Sequence, residues 1–283
     1  MTCRELYLLA RRRLGGAGVD SPGADAAALA QRFLGLDRAG LALHGEEAPP
    51  PQREAAFLQA VEERAARRPL QYILGEWEFM GLPLAVGEGV LCPREDTAVL
   101  VEELARRLGE RPRPRGLDLC AGTGAVALGL RTLLPQAEVL CLELSDRAFP
   151  YLEENLRRHG KGLAAARKGD VLSPALAGEF VPGSLDFIAS NPPYIETGEL
   201  PGLQPEVRRE PVLALDGGAD GLVFYRAIVQ LWAPLVKPGG LVAVEIGENQ
   251  GPAVARLFQQ AGLTAVETAQ DWAGLDRVVS GLR

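Results

Sequence analysis

The sequence predicts a doubly wound α/β sheet preceded by a small helical domain. Three observations carry that prediction. From Gly116 onward, short apolar runs alternate with segments of helical period; a glycine turn, Gly122-x-Gly124, opens a helix directly after the first run; and a later run, Leu185–Ala189, ends in Ser190-Asn191-Pro192-Pro193-Tyr194. Alternating strands and helices build a parallel sheet with helices on both faces. Ligands bind outside the carboxyl ends of such strands.

With 283 residues and 47% hydrophobic content, the chain is long enough for one full core and a smaller unit. No apolar run reaches the ~18 residues of a spanning helix, and Arg4 and Arg11-Arg12-Arg13 interrupt any signal-peptide core. A cytoplasmic location and no membrane partner are therefore expected. Cys3, Cys92, Cys120 and Cys141 are scattered without C-x-x-C spacing, which speaks for reduced buried thiols and against a metal site or a disulfide framework. Net charge is −7, with 10 basic and 9 acidic side chains in residues 1–75 and 20 and 28 in the remainder. Neither part has the basic excess of a protein that grips nucleic acid through phosphates. Arg106, Arg107, Arg111, Arg113 and Arg115 cluster locally, as a solvated helix end and loop would.

Taken in order, Arg4–Leu14, Ala24–Leu34 and Glu54–Arg67 repeat apolar residues at helical spacing, with Gly15-Gly16 and Gly35 as stops. Residues 1–75 are thus expected to form a helical domain, assigned from position alone to substrate docking or a lid. Leu70–Gly75 and Trp77–Val86 read as the two halves of a β-hairpin, with 76–90 linking the helical domain to a catalytic domain over 91–283. Ala98–Leu108 is an apolar helix, and Arg94 and Thr97 before it are candidates to line a site.

The strand Gly116–Leu119 runs into Cys120-Ala121-Gly122-Thr123-Gly124, where glycines let the backbone turn sharply and the next helix offers unpaired N–H groups. Glu143 ends the strand Glu138–Glu143, about 20 residues beyond the glycines, a spacing suited to ribose hydroxyls. Taken alone this pattern also suits a nicotinamide dinucleotide. No Lys or Arg sits in the turn, however, so a cofactor carrying a single carboxylate is favoured over a pyrophosphate. Asp170, with Val171, follows a third strand and is placed to meet an amino or ring nitrogen. Pro150 breaks a helix unless it lies in the first turn, so that helix is expected to start late. Beyond Tyr194, residues 206–221 form a loop rich in glycine and charge, suited to covering a site. A helix over Phe224–Leu235, a turn at Lys237–Gly240 and the strands Leu241–Ile246, Gly262–Thr268 and Arg277–Leu282 complete the sheet.

Asn191-Pro192-Pro193-Tyr194 is the chemically specific stretch. Each proline fixes its own φ and holds the residue before it extended, so the Asn191 side-chain oxygen and the Pro192 carbonyl are two pre-set acceptors. A planar NH2 group fits them, with Tyr194 against its face. An amide nitrogen shares its lone pair with the carbonyl. Two acceptors return density to it and aim it.

Together, Asp118-x-x-x-Gly122-x-Gly124, Glu143, Asp170 and Asn191-Pro192-Pro193-Tyr194 resemble the landmarks of class I S-adenosylmethionine-dependent methyltransferases of planar nitrogen. The chain is similar, from about Arg68 to its end, to the HemK/PrmC family of release factor N5-glutamine methyltransferases. The similarity includes Arg68-Pro69-Leu70-Gln71-Tyr72-Ile73-Leu74-Gly75, Pro93-Arg94 with Thr97, Glu210-Pro211 with Ala214-Leu215 and Gly217-Gly218, Glu245-Ile246-Gly247 with Gln250, and Asp271 with Gly274 and Arg277. It implies a Rossmann-like seven-stranded sheet with an antiparallel last strand. It further implies S-adenosyl-L-methionine bound by Asp118, Cys120, Ala121, Gly122, Thr123, Gly124, Glu143, Asp170, Val171 and Asn191. Catalysis falls to Asn191, Pro192 and Tyr194, which with Pro193 bind the glutamine of a Gly-Gly-Gln tripeptide in a class 1 release factor, the enzyme acting as a monomer. The family commonly has glycine where Cys120 stands, so contact there is expected through the backbone, and Glu95-Asp96 replaces a more usual Pro-Glu pair. Three alternatives stay open: an adenine-N6 methyltransferase acting on DNA or RNA, which would flip the base, an NAD-dependent oxidoreductase, and a non-catalytic adaptor that binds S-adenosylmethionine without turnover.

Overall fold

The computed structural model describes residues 1–109 and 111–283. Two compact units are present, Met1–Glu76 with Gln204–Arg209, and Trp77–Leu203 with Glu210–Arg283.

The first unit is helical: α1 (Cys3–Gly16), α2 (Pro22–Leu29), α3 (Arg38–His44), α4 (Pro51–Ala65) and α5 (Leu70–Leu74). A capping box starts α1, with Glu5 N–H donating to Thr2 Oγ1 at 3.2 Å and Thr2 N–H to Glu5 Oε2 at 2.8 Å. Gly15 and Gly16 are taken up as its last turn. The segment after α2 continues as a π-turn over Ala30–Leu34 and stops at left-handed Gly35. Leu6, Ala10, Leu14, Leu29, Phe57 and Val61 are buried on the inward faces. Gln204–Arg209, far away in sequence, belongs here because Glu206 is held by Arg64 at 2.7 Å and by Arg67 at 2.8 Å, while Arg64 also pairs with Asp25 at 2.7 Å.

Leu70–Leu74 is a helical turn rather than half of a hairpin. Pro69 precedes it with a φ of −51°, and Gly75 closes it in the left-handed region with a φ of 76°. The hairpin is shorter, β1 (Glu76–Phe79) with β2 (Leu82–Ala85).

The second unit carries a seven-stranded sheet of β3 (Arg115–Leu119), β4 (Glu138–Glu143), β5 (Ala164–Lys168), β6 (Leu185–Ser190), β7 (Val236–Glu245), β8 (Thr264–Gln270) and β9 (Asp276–Leu282). Their order is β5-β4-β3-β6-β7-β9-β8, with β9 antiparallel to both neighbours. Side chains alternate between the two faces. Phe187, Ala189, Leu241 and Ala243 join one core with α6 (Ala98–Leu108), α7 (Ala125–Leu133) and α8 (Phe149–His159). Leu117, Leu119, Ile188, Val242 and Val244 join the other, with α9 (Pro174–Ala177), α10 (Val223–Ala227) and α11 (Gly251–Gln260).

Pro150 sits in the first turn of α8, where its missing N–H costs nothing. The expected helix over Phe224–Leu235 is broken: α10 passes into a π-turn at Ile228–Trp232 and a tight turn at Ala233–Leu235, and Pro234 has no N–H with which to continue a helix. Lys237–Gly240 lies within β7, opposite an irregularity in its pairing with β6 between Leu185 and Phe187. The arginine cluster is spent locally. Arg113 and Arg115 pair with Glu138, Arg106 pairs with Glu103, and Arg111 donates to the Gly239 carbonyl.

Candidate active site

The parallel strands end side by side, and their ends carry the chemistry. Asp118 and Leu119 finish β3, Glu143 finishes β4, Asp170 follows β5, Asn191 follows β6 and Glu245 finishes β7. Ser190 Oγ donates to the Leu119 carbonyl at 2.7 Å, tying two of these ends together.

Above them lies an open cleft. Of the residues singled out from sequence, Asp118, Cys120, Ala121, Gly122, Thr123, Glu143, Asp170, Val171, Asn191 and Pro193 line it. Gly124, Pro192 and Tyr194 are not on its wall. Gly124 instead begins α7 with a φ of 82°, where a side chain would meet Leu152 at 2.9 Å. Pro192 is buried. The Tyr194 ring packs toward the core shared by α10 and α11, and its carbonyl accepts from Gln250 Nε2 at 2.9 Å.

Local backbone explains the turn. Cys120 and Gly122 both have positive φ, 60° and 55°. An L-residue pays for that conformation with a clash of Cβ against its own carbonyl, which is why glycine is the ordinary choice. Gly122 N–H and Ser145 N–H donate to the two oxygens of Glu143 at 2.8 and 2.7 Å, so the carboxylate is clamped at the cleft wall. Asp118 Oδ2 accepts from Ala127 N–H at 3.1 Å, while its Oδ1 is buried without a partner. Burial pushes the Asp118 carboxyl up to about 7, with Glu143 adding to the effect. The Cys120 thiol is raised by burial first and then by Glu143.

Arg94 is on the wall, but Glu210 takes its charge. The same Glu210 accepts from Cys92 N–H at 3.0 Å, which holds Gly89–Pro93 against the cleft. Sequence reading missed Gly89–Cys92, Leu142, Leu213 and Phe224 as lining residues. Their apolar, motif-free character gave no signal, whereas the Glu210-Pro211 and Pro93-Arg94 matches did point to this wall. Asn191 Nδ2 donates to Thr97 Oγ1 at 3.2 Å, so Oδ1 is the end of the carboxamide left for the cleft.

The strand order with its antiparallel last strand, together with a cleft of carboxylates over the strand ends, is that of a class I methyltransferase. The catalytic domain of hMettl16 shares the fold, with a TM-score of 0.56 at 15% identity over 81% of each chain. By sequence, residues 5–75 match the PrmC N-terminal domain and residues 93–202 the methyltransferase small domain. A release factor glutamine methyltransferase from Geobacter sulfurreducens is 41% identical over 99% of this chain and 96% of its own, and one from Moorella thermoacetica 43% identical over 98% and 97%. The chain belongs to the release factor glutamine methyltransferase family.

Proposed function

We propose that this protein transfers the methyl group of S-adenosyl-L-methionine to N5 of the glutamine in the Gly-Gly-Gln tripeptide of class 1 peptide chain release factors, in the cytoplasm and as a monomer. The observation that carries the proposal is the placement of the Asn191 carboxamide at a strand end, with its NH2 engaged by Thr97, beside a cleft walled by Asp118, Glu143 and Asp170.

The donor set fits this cofactor. Three carboxylates line the cleft, one with a buried and unpartnered oxygen, and a guest with ammonium, ribose hydroxyls and a sulfonium satisfies them. A pyrophosphate would find Arg94 already neutralised by Glu210, which weighs against the oxidoreductase alternative. When bound, the cofactor supplies an electrophilic methyl and leaves as a neutral thioether.

Glu143 is assigned to the ribose, Asp118 to the cationic end and Asp170 to the adenine amino group. Asn191 Oδ1 and the Pro192 carbonyl accept the two hydrogens of the substrate carboxamide. Tyr194, tethered by Gln250, holds the stretch so that both acceptors stay aimed. These bonds raise electron density on nitrogen and orient it toward the methyl, and orientation of this kind is worth roughly 7–11 kcal/mol. The nitrogen so held would take the methyl that the cofactor supplies, and the surplus proton on the amide nitrogen would then pass to water. The helical unit is assigned to docking the release factor.

Tritiated methyl is expected to pass to a wild-type release factor and not to one carrying Gln→Ala in its Gly-Gly-Gln tripeptide. Equal labelling of the two, or labelling of duplex DNA in their place, would overturn the assignment.

A further inference from the structure

Glu245 is the last residue of β7, 2% exposed, and the mechanism above leaves it unused. Thr97 and Asn191 stand beside its carboxylate and favour its charged form, and its Oε2 is buried without a hydrogen-bond partner. Thr97, itself 3% exposed, is the end of a short turn over Glu95–Thr97.

A threonine hydroxyl has one hydrogen and two lone pairs. An ionised Glu245 only accepts, so Thr97 gives its hydrogen to the carboxylate and must accept from Asn191. Only the NH2 end of Asn191 can donate there, and it does so at 3.2 Å.

We propose that Glu245 is a positioning residue that, acting through Thr97, dictates which end of the Asn191 carboxamide faces the cleft. This rests on the reading of Asn191 as the acceptor for the substrate amide. Turned by 180°, the side chain would press its oxygen against an oxygen with no hydrogen to give and against the carboxylate. It would also show an NH2 to the incoming NH2, donor against donor. The ionised carboxylate therefore makes one of two nearly isosteric arrangements unfavourable.

The charge on Glu245 is conditional. Burial is the largest influence and raises the carboxyl to about 7, opposed by the Thr97 hydrogen bond, Arg277 and the Asn191 hydrogen bond, and reinforced by Asp96. Arg277 is shared with Asp271 at 2.8 Å and Asp96 at 3.6 Å, and the phenols of Tyr194 and Tyr225 complete the surroundings. Below pH 7 a protonated Glu245 becomes a donor to Thr97. The Thr97 hydrogen is then free to turn toward Asn191, and the carboxamide loses its fixed polarity.

The test compares Glu245→Gln, Thr97→Val and Thr97→Ser with wild type in two measurements. One is kcat and both KM values for release factor methylation against pH. The other is the 15N shift of the Asn191 side-chain amide against pH in protein without methyl donor, assigned by its absence in Asn191→Ala. In wild type, kcat should fall as pH drops through about 7 and the amide should titrate with the same midpoint. Glu245→Gln should flatten that limb and lower kcat by about ten- to a hundredfold, the scale of a misplaced catalytic group, with KM little changed. Thr97→Val should uncouple the amide from the titration with a similar loss, and Thr97→Ser should regain most of both. If Glu245→Gln fails to fold, the Val and Ser variants decide the matter on their own. An unaltered acid limb in Glu245→Gln, or unaltered kcat and amide titration in Thr97→Val, would overturn the proposal. Absence of glutamine methylation by wild type would count against the functional reading instead, and the amide titration would still report on Glu245.

Discussion

Asn191→Ala is expected to lower kcat for glutamine methylation by about 10²–10³-fold, the cost of deleting one pre-aimed polar group at a reacting centre, while methyl-donor affinity changes only a few-fold. The Asn191 NH2 is engaged by Thr97, leaving one oxygen for the substrate. The methyl donor is assigned to groups on other strands: Glu143, clamped by two backbone N–H groups, Asp118 with its open Oδ1, and Asp170. Removing Asn191 leaves all three in place. Single-turnover methyl transfer together with calorimetric titration of the donor checks the division of labour. Parallel loss of both quantities would mean that Asn191 holds the donor rather than the substrate.

Gly217→Ala should reduce kcat by about 10²-fold although the residue is not on the cleft wall, because misplacing a reacting group by 1 Å carries a penalty of that order. An added Cβ would stand 2.7 Å from Tyr194 Cα, 2.9 Å from the Pro193 carbonyl oxygen and 2.9 Å from Gly221 Cα. All three are backbone atoms, so no side chain can swing aside to make room. The loop must move as a body. It is joined to the Asn191–Tyr194 stretch through Ile195, which donates to the Leu215 carbonyl at 2.9 Å and accepts from Gly217 N–H at 2.8 Å. Overpacking of this kind costs about 1–3 kcal/mol of stability, so the variant should fold with a lowered Tm and bind the methyl donor normally. Wild-type kcat in a folded Gly217→Ala protein would show that the loop does not hold the acceptors in place.

Local pattern carried much of the architecture. The helix Ala98–Leu108 and the strand Glu138–Glu143 were legible to the residue because each has a clear period and a marked stop. Leu70–Leu74 misled because a five-residue segment with four apolar side chains is too short to separate a period of 3.6 from a buried strand, and only the left-handed Gly75 decides. The cleft was legible where backbone geometry demands a residue type, at the glycine turn and the paired prolines. It was not legible where long-range pairing places the group. Glu210 reaches Cys92 and Arg94 across more than a hundred positions, and Glu206 joins Arg64. Glu245 was hidden for a related reason. An acid at the end of an apolar strand looks like the start of a solvent-facing turn, and only the folded neighbours Thr97 and Asn191 show that water is excluded.

Cys120 carries a consequence for the safety of the catalyst. A protein that stores an alkylating agent endangers its own soft nucleophiles, and Cys120, like Cys92, lies on the cleft wall. Its neutral form is strongly favoured, since burial and the anionic side chains of Glu143, Asp118 and Asp170 all resist a further negative charge. Self-inactivation by S-alkylation needs the thiolate. The acidic lining assigned to a sulfonium therefore also disarms a thiol placed to consume it.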